Sequence, residues 1–231
     1  MSFRGRLRAV LRHQIPDHVP FAPYDNLVPR GAFERGLRNR GMGLLARCPA
    51  AWVEYPGVRE ETSVCGDMRT VAYHTPVGTV RRRERMHVSR ALGEGRTIEV
   101  EGLIKGLADL EPVLYMLEGA VYHPDPEAYL DAARDLGDDG LVRVSFEGPP
   151  YDTALGLFGL GTAEGLANWV YMEQDHPDHY AALVAACERA AERLLPLVAA
   201  SPAEFVGLGS LDGIYGPDTF RRYALPFYRR V

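Results

Sequence analysis

Two acidic residues stand where a strand-built enzyme keeps its reactive groups. Asp212 follows the apolar stretch Phe205-Val206-Gly207-Leu208, and Glu147 follows Leu141-Val142-Arg143-Val144-Ser145-Phe146. A carboxyl group just past the C-terminal end of a strand can orient a substrate or shuttle a proton, so Asp212 and Glu147 are the candidate catalytic residues. The plainer alternative for each is a helix cap or a loop charge. Tyr24, Asp25, His123, Tyr151 and Tyr215 fall in neighbouring loops and are the candidate substrate-binding residues. The tyrosines among them would serve equally well as core. In His176-Pro177-Asp178-His179 the two histidines suit a metal pair by spacing, but the segment opens a helix, where a polar cap explains them. No metal ligand is assigned. Gly156-x-x-Gly159-x-Gly161 has the wrong spacing for a phosphate loop and reads as a place where helix and barrel approach closely.

The elements that must hold these residues follow from periodicity. Phe3, Leu7, Val10 and Leu11 share a helical face over 3–13, and Ile15-Pro16-Asp17 ends it. Val19 to Tyr24 reads as a short strand with prolines suited only to an end or edge. Residues 31–47 read as a helix weakened by Gly31, Gly36, Gly41 and Gly43. Thr70 to His74 and Thr79-Val80 flank the turn Thr75-Pro76-Val77-Gly78. With Arg96 to Val100 they make an antiparallel meander of two or three strands, an excursion at about 58–101. Helical signals return at 108–118. Asp125-Pro126-Glu127 caps and opens a helix that Gly137 closes. Thr162 opens another over 163–174, and Pro177-Asp178 a long one that Pro196 is expected to kink or end. Pro217-Asp218 starts the last. The alternation after residue 119 predicts α/β architecture, a single (β/α)8-type barrel domain over 1–231. Only four or five barrel strands can be counted, so the barrel is expected to be incomplete in this chain.

Composition excludes several functions. A net charge of −5 argues against a nucleic-acid partner. Arg81-Arg82-Arg83 is cut short by Glu84 and reads as a solvated face. Lys105 is the only lysine, so a Schiff base is confined to that position. No apolar run is long enough for a membrane span, and no secretory leader is visible. Three widely spaced cysteines, Cys48, Cys65 and Cys187, suit a reducing cytoplasm.

Arg6-Leu7-Arg8-Ala9-Val10-Leu11 followed by Pro16-Asp17-His18-Val19-Pro20-Phe21 resembles the opening helix and first strand of the uroporphyrinogen decarboxylase superfamily, which includes corrinoid-dependent methyltransferases. Thr75-Pro76-Val77-Gly78-Thr79 resembles a hairpin of the methyltransferase-like branch. Ile104-Lys105 with Asp109-Leu110, Gly148-Pro149, and Pro217 through Tyr228 resemble later joints. The resemblance implies a (β/α)8 barrel that moves a methyl group between a small methylated substrate and a corrinoid, with a corrinoid protein as partner. Zinc would assist, through His-x-Cys ligands expected outside these residues. The alternative is decarboxylation of a tetrapyrrole, which needs no cofactor but does need cationic groups; the first-loop arginines, Arg30 and Arg35, could serve if they converge. The decarboxylase's arginine motif and its Phe-Ser-Asp motif have no match here. A third reading is a non-catalytic barrel fragment, completed by a second chain or as a homodimer.

Overall fold

The computed structural model describes residues 1–87, 97–146, 148–209 and 213–231. In chain order it gives α1 (Phe3–Leu11), α2 (Ala32–Arg38), β1 (Leu44–Pro49), β2 (Ala51–Glu54), β3 (Arg59–Cys65), β4 (Met68–Thr75), β5 (Gly78–Arg85) and β6 (Ile98–Glu101). There follow α3 (Leu110–Gly119), β7 (Val121–Pro124), α4 (Pro126–Leu136), β8 (Gly140–Phe146), α5 (Pro150–Gly156), α6 (Ala163–Asp175), α7 (Pro177–Ala199) and β9 (Val206–Leu208). A last helical stretch holds α8 (Pro217–Thr219), a π-helical turn at Phe220–Ala224, and α9 (Leu225–Arg230). The fold is mixed α/β, and among the described residues its sheets do not close into a barrel.

Three strands run parallel in the order β1-β8-β9, and the extended segment before them adds a further rung. Tyr24 bridges Leu45 in parallel, with Leu45 N–H donating to the Pro23 carbonyl and Gly43 N–H to that of Phe21, both at 3.0 Å. Pro20 and Pro23 lack the N–H a longer ladder would need, so the expected strand at 19–24 is reduced to this contact. One face of the sheet is apolar. Leu44, Ala46, Cys48, Val142, Val144 and Phe146 pack with Tyr129 and Leu136 of α4, Val198 of α7 and Phe227 of α9. The period of two turns the alternate residues to the opposite face.

The antiparallel meander has four strands, β3-β4-β5-β6, where two or three were expected. Its turn is placed as predicted, Thr75 pairing with Gly78 across Pro76-Val77. Val71, Tyr73 and Val80 on its inner face join Val113 and Met116 of α3 in the second core, with Leu155, Trp169, Tyr180 and Leu183 of the helices behind. The arginine run is split by the strand's alternation. Glu84 is buried beside Arg69 and Arg82 on the inner side, and Arg81 and Arg83 meet Glu101 at 3.8 and 3.7 Å. Arg81 and Arg83 keep the solvated face expected, and Arg82 turns inward.

Helix starts fall at the predicted caps. Asp125 Oδ1 accepts from Ala128 N–H at 3.1 Å, and Thr162 Oγ1 from Gly165 N–H at 3.0 Å. The main departure is β1. Residues expected to continue a helix to 47 leave it after Arg38, turn through Gly41 at φ +100°, and form a strand. A left-handed residue interrupts helical backbone, and glycine adopts it without steric cost. Pro196 lies inside α7, which runs on to Ala199 rather than ending.

Candidate functional site

On the sheet face turned away from the apolar core, Arg47 and Arg143 are direct cross-strand partners. Tyr24 lies beside both. Arg143 Nη1 donates to the Tyr24 hydroxyl at 3.1 Å, and its Nη2 lies 3.4 Å from Ser145 Oγ. The guanidinium carbons of Arg47 and Arg143 lie 4.9 and 5.7 Å from the Tyr24 ring centroid, within cation–π range. β9 contributes an absence of bulk. A Cβ at Gly207 would overlap the Arg143 side chain, so glycine there lets the guanidinium lie across the strand.

The electrostatics of this face are unbalanced. Like charges directly opposed on neighbouring strands destabilise a sheet. Among the described residues neither arginine has a carboxylate partner. Elsewhere the protein pairs its arginines freely, as in Arg30–Asp135 at 2.9 Å, Arg35–Asp139 at 2.9 Å and Arg221–Asp218 at 2.7 Å. Arg143 Nε is moreover buried with no acceptor among the described residues.

The predicted residues are scattered around this face. Tyr24 belongs to it. Asp25 follows in a short turn at Asp25–Leu27, where its Oδ1 accepts from Asn26 N–H at 3.0 Å. Glu147 and Asp212, the two candidate catalytic acids, lie outside the described residues. His123 is not in a loop. It sits in β7, which pairs antiparallel with β2 in a ribbon springing from the end of β1. There its ring stacks on Trp52, centroids 4.1 Å apart, and its Nε2 lies 2.9 Å from Glu54 Oε2.

Tyr151 and Tyr215 are packing residues. The segment 147–152, expected as a loop, becomes α5 from Pro150, because Gly148 at φ +102° turns the chain sharply after β8. Tyr151 is 1% exposed, stacked on Tyr223 at 4.5 Å and edge-on to Trp169, Tyr180 and Tyr215. Burial and the nearby Glu173 carboxylate push its phenol above the usual range, so it keeps its proton at neutral pH. The Tyr215 hydroxyl donates to Asp152 Oδ1 at 2.8 Å, tying the segment before α8 to α5.

The first-loop arginines do not converge on the sheet. Arg30 and Arg35 are engaged by Asp135 and Asp139. The arginines that do converge, Arg47 and Arg143, escaped the sequence reading. Arg143 carried a signal: with Ser145 it sets a polar alternation inside Leu141–Phe146. Arg47 carries none, because its segment has the composition of a helix.

The described residues do not fit a zinc centre. No group of three or more histidine, cysteine, aspartate or glutamate side chains among them is placed to hold a metal. The arginine face offers guanidinium, phenol and hydroxyl, none of them the thiolate or imidazole that zinc prefers. Cys48 points from β1 into the opposite, apolar face, where burial raises its thiol above the usual range. All three cysteines are free. Among the described residues no helix is long and apolar enough to cross a membrane.

Compared against protein-family models, curated proteins and solved structures, the chain matches none of them, so the resemblance noted above rests on its motifs alone.

Proposed function

We propose that this chain supplies the substrate-binding wall of a (β/α)8-type barrel enzyme of the uroporphyrinogen decarboxylase superfamily, working in the cytoplasm on a small anionic molecule. The observation that carries this reading is the two-sided parallel sheet. One face is closed by α4, α7 and α9, and the other bears Arg47, Arg143, Tyr24 and Ser145. In barrel enzymes the helices cover the outer side, and the substrate lies at the C-terminal ends of the strands. β1 and β8 end beside these polar residues.

Two arginines without counter-charges among the described residues favour a carboxylate substrate, and so the decarboxylation reading. In that reaction a carbon–carbon bond breaks, carbon dioxide leaves, and a proton takes its place. Methyl transfer to a corrinoid is the second reading, favoured by the hairpin at Thr75–Gly78; the chain would then act with a corrinoid protein and with zinc held by residues outside those described. The test is direct. Purified protein is given uroporphyrinogen in one series, and small methylated donors with a corrinoid in another. Loss of substrate carboxylates supports the first reading, and methyl-corrinoid formation the second. If neither product forms and the protein sediments as an oligomer, the binding or scaffold reading replaces both.

A further inference from the structure

We propose that Arg47 and Arg143 form a two-pronged clamp for a single oxyanion, the carboxylate or phosphate of a small molecule, with Tyr24 as the residue that holds the clamp in shape. The clamp rests on the reading of the arginine face as the substrate side, and it names the group by which the substrate is held.

Five features of the face point the same way. The guanidiniums come from residues in register on adjacent strands, so their backbones are held about 4.8 Å apart by the ladder itself. Repulsion between them is uncompensated by any carboxylate of the described residues. An oxyanion placed between them would replace repulsion with two charge-assisted contacts. Arg143 is pre-oriented: Tyr24 and Ser145 each accept from one terminal nitrogen, and every terminal nitrogen of a guanidinium carries a second hydrogen that remains available. Arg47 is exposed, lies over the Tyr24 ring and has no carboxylate partner among the described residues, so its fork can swing onto a ligand. Finally, the hydroxyl of Tyr24 accepts from Arg143, which leaves its own proton for the same anion.

Gly207 makes the arrangement specific to this site. The three atoms nearest a Cβ at this position, Cδ, Nε and Cζ, all belong to the Arg143 side chain. A methyl group there meets the flexible end of Arg143 rather than backbone, so Gly207→Ala should leave the fold intact and push the guanidinium aside.

Isothermal titration with inorganic phosphate, acetate and succinate, in chloride buffer, tests the clamp. Saturable binding of at least one anion is expected, weakening as ionic strength rises. Arg143→Met, Arg47→Met and Gly207→Ala should each reduce it about tenfold or more. Tighter phosphate than succinate would assign a phosphate ester, and the reverse order a carboxylate. Thermal melts give a second readout that needs no ligand identification. Without anion, Arg47→Gln should melt at or above the wild-type temperature, because a repulsion is gone; with phosphate or succinate only the wild type should gain. Flat titrations with all three anions, or binding unchanged in both methionine variants, would overturn the clamp. Its fate is separable from that of the enzyme reading. Anion binding without turnover leaves the clamp and removes the enzyme, whereas turnover that survives both substitutions does the opposite.

Discussion

Lys105, the single lysine, shows how far one side chain can be committed to structure. Its Nζ donates to the carbonyls of Arg81 and Leu103, both at 2.9 Å, reaches that of Gly102 at 3.4 Å, and lies 3.7 Å from Asp109 Oδ2. Three converging carbonyls suit a compact ammonium with three donors and not a planar fork. Lys105→Met and Lys105→Arg are therefore both expected to cost about 1–3 kcal/mol in thermal or urea unfolding. A variant as stable as the wild type would show the cage to be decorative. The position that alone could have formed a Schiff base is thus a pin between β5 and the segment leading to α3. Residue types were legible in the sequence here, but partners were not. A lysine's acceptors, like the pairing of Arg47 with Arg143 across 96 positions, depend on register between distant strands, which no local pattern encodes.

Elements were legible where their ends carry chemistry. Asp125, Thr162 and the prolines at 126, 177 and 217 marked helix starts that the structure reproduces. β1 was hidden because Leu44-Leu45-Ala46 are good helix formers, and tertiary pairing with β8 overrides that preference. α1 shows an element held by charge. Phe3 is buried against Gly43, and Glu204 takes Arg4 at 2.7 Å and Arg8 at 2.6 Å. The hydrogen bond from Arg8 holds the Glu204 carboxyl below its ordinary value. A depressed folded value means the clasp stabilises the fold above the unfolded carboxylate range, about pH 4, and is lost as pH falls through the folded value. Glu204→Gln should thus melt lower than the wild type at neutral pH, with the gap closing in acid. Parallel pH profiles of the two melting temperatures would refute the clasp.

At the scale of the whole molecule, α7 joins two cores that the sequence showed only as one long amphipathic helix. Its first half gives Tyr180, Leu183 and Cys187 to the core beneath the meander. Its second half gives Leu194, Leu195 and Val198 to the core beneath the parallel sheet. With 23 residues it spans about 34 Å, enough to serve both. Leu183→Ala, at a fully buried position, is expected to cost about 2–5 kcal/mol. The near-ultraviolet signal of the tyrosine cluster and the far-ultraviolet helix signal should fall together at the lower temperature. Two separate transitions would mean that the cores are independent. The π-turn at Phe220–Ala224 stands where those cores meet, with Tyr223 stacked on Tyr151 on one side and Phe227 on Phe146, 5.7 Å between centroids, on the other. Its wider winding sets the angular offset between the two aromatics. A π-turn carries about one residue more than the α-turn it replaces, so excising a single amino acid from that widened coil would let it tighten to ordinary α-helical winding, with the chain beyond keeping its bearing on the sheet.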